Sequence, residues 1–272
     1  MPSSLKIALI GDVIGRPGRQ FVAAMLPKLK ARYAPDLVIA NGENSAGGLG
    51  VIKRTADELF AAGVDLLTGG NHIWDKKEAV PLLRVEPRIA RPLNFPPAAP
   101  GQGWTSRRLP DGTEVTVVSL QGRVFMDPIV DNPFLAMDAF LKGRPAGGVV
   151  IVDFHAEASA EKQSLGYHLD GRVSAVLGTH THIPTADLRV LSGGTAYQTD
   201  VGMTGALDSV IGMKRGPILE RYLTGVNHRF EVETAGPMVL DWTLVEVDPG
   251  TGRAVSAWSR RFFEETIEQP PV

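Results

Sequence analysis

Short apolar runs, each broken by glycine and then by a polar side chain, recur along this chain, and they predict alternating strands and helices. Lys6–Ile10 is the first, ending at Gly11-Asp12, and Leu37–Ala40 is the second, ending at Asn41-Gly42-Glu43-Asn44. Val64–Thr68 is the third, running into Gly69-Gly70-Asn71-His72. Unbroken apolar runs of this length fit strands buried on both faces. Between them the period lengthens to that of amphipathic helices. Gln20–Tyr33 turns Phe21, Met25, Leu26 and Leu29 inward, and Thr55–Ala62 does the same with Leu59 and Phe60.

The alternation then stops for about thirty residues. Pro81 to Pro110 holds seven prolines, and Arg91–Pro97 can be neither regular helix nor central strand, so this stretch predicts an extended excursion. Strand character returns at Glu114–Leu120, followed by a loop over Gln121–Asn132 and a helix over Asn132–Leu141. Val149–His155 and Val173–Leu177 are further buried strands, the second leading into Gly178-Thr179-His180-Thr181-His182. The stretch from Ala196 through Gly216 predicts a rim loop, and Pro217–Leu223 a short helix. Met238–Val247 and Arg253–Phe262 alternate across Asp248–Gly252 as a hairpin, and residues 264–272 form a charged, frayed tail. With no internal repeat or composition break, the 272 residues predict a single domain.

Composition narrows the chemistry. A net charge of -2, from 28 basic and 30 acidic residues, argues against stable binding of nucleic acid polymers and leaves small phosphorylated substrates open. The absence of cysteine excludes thiolate nucleophiles and sulfur-ligated metals, so any metal takes N and O ligands. No apolar run approaches a membrane span and no secretory leader is evident, which predicts a cytoplasmic location without membrane contact.

The strand exits carry the candidate chemistry. They bear Asp12, Glu43, Asn44, Asn71, His155, His180 and His182, with His72 beside them, and four of the six histidines lie at such exits. Any one of these alone is ordinary turn or capping chemistry. Together, two carboxylates, two amides and three histidines exceed what one ion takes from a protein and suit two ions sharing a carboxylate. Hard oxygens with imidazoles favour manganese, iron or zinc over magnesium. In an extended segment His180 and His182 lie on the same side. Arg16-Pro17-Gly18-Arg19 resembles a phosphate-binding loop only superficially, with neither the P-loop nor the GxGxxG spacing.

The motifs Gly11-Asp12, Gly42-Glu43-Asn44, Gly70-Asn71-His72, His155 and Gly178–His182 resemble those of the calcineurin-like metallophosphoesterase superfamily. The fuller wording of these stretches, with Thr199–Gly205, is similar to the bacterial YmdB-type subgroup of cyclic-nucleotide phosphodiesterases. Two departures from the wider superfamily stand out: Ile14 occupies a position usually held by a metal-ligating histidine, and Glu43 replaces a bridging aspartate. The resemblance implies an α/β fold, a four-layer αββα sandwich with mixed sheets and ligands at strand C-terminal ends. It implies one ion held by Asp12, Glu43, Asn44 and His182, and another by Glu43, Asn71, His155 and His180, with iron or manganese foremost. His72 would then hydrogen-bond a phosphate oxygen or protonate the departing ribose oxygen, and Glu157, Glu161, Thr179, Thr181 and Asp187 are candidates to support the ligands, with capping or solvation the competing reading of each. Hydrolysis of 2′,3′- or 3′,5′-cyclic nucleotides by a metal-activated hydroxide is the implied reaction, and a homo-oligomer the implied assembly. A nucleotidase or phosphomonoesterase on the same site, or a weakly catalytic signalling or RNA-associated module, are the competing readings.

Overall fold

A computed structural model describes residues 4–144 and 148–264. In chain order its first half contains β1 (Leu5–Ile10), β2 (Asp12–Val13), α1 (Gly15–Tyr33), β3 (Leu37–Asn41), α2 (Lys53–Ala61), β4 (Leu66–Thr68), α3 (Ala79–Val85), β5 (Ile89–Ala90), β6 (Trp104–Arg108), β7 (Glu114–Gln121) and α4 (Pro133–Lys142). The second half adds β8 (Val149–His155), α5 (Ser159–His168), β9 (Ala175–Thr179), β10 (Arg189–Val190), β11 (Ala196–Gln198), β12 (Met203–Ala206), α6 (Arg215–Thr224), β13 (Met238–Val247) and β14 (Ala254–Phe262).

The strands form two sheets. One runs β2-β12-β13-β1-β3-β4-β5 with β14 also paired to β13, and the other runs β10-β11-β9-β8-β7-β6. Period-2 alternation sorts each strand's side chains between two cores. In β1, Leu5, Ile7 and Leu9 meet Val117, Ile151 and Leu177 of the second sheet, whereas Ala8 and Ile10 face Val22, Met25 and Leu26 of α1. On the far side Val150, Val152 and Phe154 pack against Leu165 and Leu169 from the α5 region. The result is four layers, helix on sheet on sheet on helix. Because both faces of the central strands are covered, their sequences read as unbroken apolar runs.

Two predicted regions differ. The proline-rich span is not wholly irregular: α3 accommodates Pro81 in its first turn, where the backbone has no intrahelical N–H bond to lose, and β5 and β6 lie at sheet edges. The stretch 91–103, which includes Arg91–Pro97, stays without a helix or strand, as expected for that proline cluster. The supposed rim loop from Ala196 to Gly216 supplies β11 to one sheet and β12 to the other. Strands of three and four residues are too short to show a period. Helix α1 also begins five residues before Gln20, since Pro17 is tolerated at a helix start. The β13–β14 hairpin forms as expected, pairing Leu240 with Phe262 and Val247 with Ala254, with a register shift between Glu246 and Val247. The predicted frayed tail lies outside the described residues apart from Glu264.

Parallel pairing of β1, β3 and β4, and of β7, β8 and β9, points six strand ends toward the polar exits noted above. The inter-sheet core fixes that arrangement. Replacing the fully buried Ile39 with alanine should cost about 2–5 kcal/mol, from lost burial plus the cavity left behind. Urea unfolding checks this: the midpoint should fall with the slope unchanged.

Candidate metal centre

The two sheets are stitched together at the end where the candidate ligands emerge. The Asp153 carboxylate in β8 accepts from Asn41 Nδ2 (3.1 Å) at the end of β3 and from Thr68 Oγ1 (2.5 Å) at the end of β4. Thr179 Oγ1, at the end of β9, donates to its other oxygen at 2.6 Å. All four residues are fully buried. Ser119 of β7 adds another tie across the sheets, donating to the Gly69 carbonyl at 2.6 Å. Sequence reasoning missed Asp153, Asn41 and Thr68 as parts of the site. A signal did exist, because an aspartate inside Val-Val-Ile-Val-Asp-Phe is a charge that a buried strand tolerates only with partners.

Beyond these ties the candidate ligands fall into two groups. In the first, Asn44 Nδ2 lies 3.2 Å from Asp12 Oδ1 and 3.3 Å from His182 Nε2, and His182 Nε2 is 3.5 Å from Asp12 Oδ1. In the second, His155 Nε2 lies 2.8 Å from Glu43 Oε1, 3.0 Å from Asn71 Oδ1 and 3.0 Å from His180 Nδ1. One ligand atom each from Glu43, His155 and His180 lie within 4.8 Å of one another. The groups abut, since the His180 backbone N–H donates to Asp12 Oδ2 at 3.1 Å.

The donors suit a hard or borderline cation. Glu43 Oε1 is buried and makes no hydrogen bond. At 2.8 Å from His155 Nε2, it is close in distance but not placed to accept from that ring. Thr179 Oγ1, having given its proton to Asp153, accepts from His155 Nδ1 at 2.9 Å, and the Ile211 carbonyl accepts from His182 Nδ1 at 2.9 Å. When neutral, both rings therefore carry the proton on Nδ1 and turn the Nε2 lone pair toward the cluster. Glu157 Oε2 stands 3.2 Å from His180 Nε2, orienting that ring with Nδ1 inward.

Backbone conformation makes this crowding possible. A Cβ on Gly70 would sit 2.0 Å from His155 Cδ2, so only glycine lets the turn press against the imidazole. His180 and His182 adopt φ of 100° and 65°. For residues other than glycine, such left-handed conformations cost about 1–3 kcal/mol each and persist only where the surroundings impose them.

His72 lies beside the second group, with its Nε2 3.3 Å from Asn71 Nδ2. Its Nδ1 is 2.8 Å from Asp75 Oδ2, its backbone N–H donates to Glu43 Oε2 at 3.2 Å, and its side chain is 34% exposed. Asp75, three residues on, was the unrecognised partner. The supporting candidates have separate jobs. Thr179 touches His155, whereas Glu161 accepts the Arg123 and Val124 N–H groups and fastens the loop after β7. Asp187 accepts from Thr185 and Thr199, and Thr181 donates its N–H to Asp200. His168 pairs with Asp138 and His228 lies near Glu220, both apart from the cluster.

Charges in the cluster lean on one another. Burial works against the His155 imidazolium, but the Glu43 carboxylate, reinforced by Asp12 and Asp153, outweighs it and raises the group to about 9. Burial likewise opposes Asp12, yet His182, His155 and the His180 N–H hold its carboxyl well below the usual range. His182 is raised because Asp12 outweighs its burial. Burial drives His180 down to about 3, with the His155 charge adding to it, and lifts Asp153 to about 6. A cation held by these groups would take the imidazoles neutral and the carboxylates ionised, so its binding would release protons.

The sequence profile of the YmdB-like protein family matches residues 8–259. A Bacillus subtilis protein named 2′,3′-cyclic-nucleotide 2′-phosphodiesterase is 45% identical over 252 residues, covering 92% of this chain and 94% of that one. Among solved structures, a hypothetical protein from Thermus thermophilus superposes with a TM-score of 0.89 at 45% identity, covering 96% of this chain and 100% of its own. A Mycoplasma pneumoniae protein described as a novel phosphatase superposes with a TM-score of 0.91 at 33% identity, covering 99% and 98%. Similarity along nearly the whole length, on a metallophosphoesterase-type sandwich, bears out what the strand-exit motifs imply: the chain belongs to the YmdB-like family.

Proposed function

We propose that this chain is a dinuclear metal-dependent phosphodiesterase, one metallophosphoesterase domain, that hydrolyses small cyclic nucleotides. The observation that carries the reading is the pair of abutting N/O donor groups, Asp12–Asn44–His182 and Glu43–Asn71–His155–His180. Glu43 is the candidate bridge: one oxygen faces His155 and the other takes the His72 N–H. Manganese or iron suits this mixture of carboxylate, amide and imidazole, with zinc also compatible. When bound, such a pair of ions stabilises charge on a phosphoryl group and lowers the pKa of a shared water.

The protein's own residues supply the rest. His72 is assigned the proton transferred to the departing ribose oxygen, with Asp75 accepting from Nδ1 and fixing the ring. The name of the Bacillus subtilis relative supports a 2′,3′-cyclic substrate opened at its 2′ ester. The same machinery extends in principle to 3′,5′-cyclic nucleotides. The near-neutral charge supports free nucleotides rather than polymers as substrates, in a cytoplasmic setting, and no helix among the described residues is long and apolar enough to cross a membrane.

Manganese-loaded protein should open 2′,3′-cyclic nucleotides faster than it hydrolyses mononucleotides. Turnover confined to the monoesters would replace the reading with a phosphomonoesterase. Metal analysis should find two ions per chain, and Glu43→Gln should lose both metal and turnover. His72→Ala should retain two ions while its rate drops about 10²–10⁴-fold. An unchanged rate in that variant would remove His72 from proton transfer.

A further inference from the structure

Two buried charges lie beneath the His180–His182 turn and are not candidate ligands. Lys162 of α5 is 1% exposed, and its Nζ donates to the Thr179 carbonyl and to Asp200 Oδ2, each at 2.8 Å. Asp200 is fully buried, accepting the Thr181 N–H at Oδ2 (3.1 Å) and the Gly202 N–H at Oδ1 (2.9 Å). The pair therefore grips the backbone on both sides of His180, at the carbonyl before it and the N–H after it. Asp200 also reaches past His182, because its own N–H donates to Thr185 Oγ1 at 2.9 Å and its carbonyl accepts the Thr185 N–H at 3.0 Å. Between these anchors stand the two left-handed histidines. Entry to the turn is equally constrained: a Cβ on Gly178 would lie 1.8 Å from the Thr199 carbonyl oxygen and 3.2 Å from Lys162 Cδ.

Buried ion pairs contribute little to folding stability relative to well-packed apolar groups, because desolvation offsets their attraction. What this pair supplies instead is position. We propose that Lys162 and Asp200 form a clamp that holds residues 179–182 in the conformation from which His180 and His182 reach the two donor groups. They are positioning residues for both ions at once. The inference rests on the two-ion reading above, with His182 serving one ion and His180 the other. The Asp153–Thr179 tie braces the end of β9 before His180 and leaves the backbone from His180 to His182 to other partners.

The test uses the full chain, with manganese as the probe. Lys162→Met combined with Asp200→Asn removes both charges together and leaves neither buried alone. In the apo protein its thermal midpoint should stay within a few degrees of the parent. Calorimetric titration should show manganese affinity at both sites weakened at least tenfold, with turnover recovered at excess manganese. Unchanged affinity in the double variant, against a parent that binds two ions, would overturn the clamp and leave the two-ion reading intact. A parent that fails to bind two ions would defeat that reading first. If the double variant does not fold, Lys162→Gln, which leaves Asp200 held by two backbone N–H groups, is titrated in its place with the same criterion.

Discussion

A single carboxylate, that of Asp153, sets the geometry on which the candidate site depends. Inside the sandwich a charged oxygen pair is costly unless its lone pairs are filled. Asn41, Thr68 and Thr179 fill them, and they sit at the ends of three strands drawn from both sheets. Every candidate ligand of the second group lies one to three residues past one of these anchors: Glu43 after Asn41, Asn71 after Thr68, His155 after Asp153 itself, His180 after Thr179. Short connections leave little slack. The distances among the ligands are thus inherited from hydrogen bonds made one layer deeper, where no solvent competes.

The turns themselves are held from behind by a common device. A turn beside a buried cluster exposes backbone carbonyls that neither sheet nor water can satisfy. Arg19 reaches from α1 to the Ser45 carbonyl, Ser119 to that of Gly69, Lys162 to that of Thr179, and the Gly122 N–H to that of His155. The donors come from α1, from β7 and the residue that follows it, and from α5, so the turns that carry the candidate ligands are cross-braced by the surrounding layers as well as by their own strands. Arg19 is further held by Glu58 at 2.6 Å, which carries the brace through to α2.

The sequence exposes some of this and hides the rest for physical reasons. Strands buried on both faces must be apolar throughout, so β1, β3, β8 and the exits that follow them stand out against the helices. Glycine marks Gly70 and Gly178 because side chains or backbone pass too close for a Cβ. By contrast, β11 and β12 are too short for periodicity, and β6 is obscured by the prolines around it. The braces are hidden for a different reason: Asn41 and Asp153 are 112 residues apart, and Lys162 and Asp200 are 38 apart. Nothing local distinguishes Lys162 from a surface lysine on α5. Of the five supporting residues expected from the motifs, Thr179 and Glu157 touch ligand imidazoles directly. Thr181 acts through its backbone, and Glu161 and Asp187 secure neighbouring loops.

Asn71 and His72 show why the proposed metal binding and proton transfer cannot be adjusted independently. Adjacent on one turn, their side chains touch, Asn71 Nδ2 lying 3.3 Å from His72 Nε2, while Asn71 Oδ1 points inward to His155 and His72 Nδ1 meets Asp75. Gly70 permits this by letting the backbone close on the His155 ring before it reverses. The His72 N–H then returns to Glu43, the carboxylate assigned as the bridge. A displacement of Glu43 therefore pulls on the backbone that carries the proposed proton donor, and a displacement of the turn disturbs a ligand of the second group. The proposed proton donor and the proposed ligand Asn71 sit on one short piece of chain, so their separation follows from covalent geometry and the hydrogen bonds to Asp75 and Glu43.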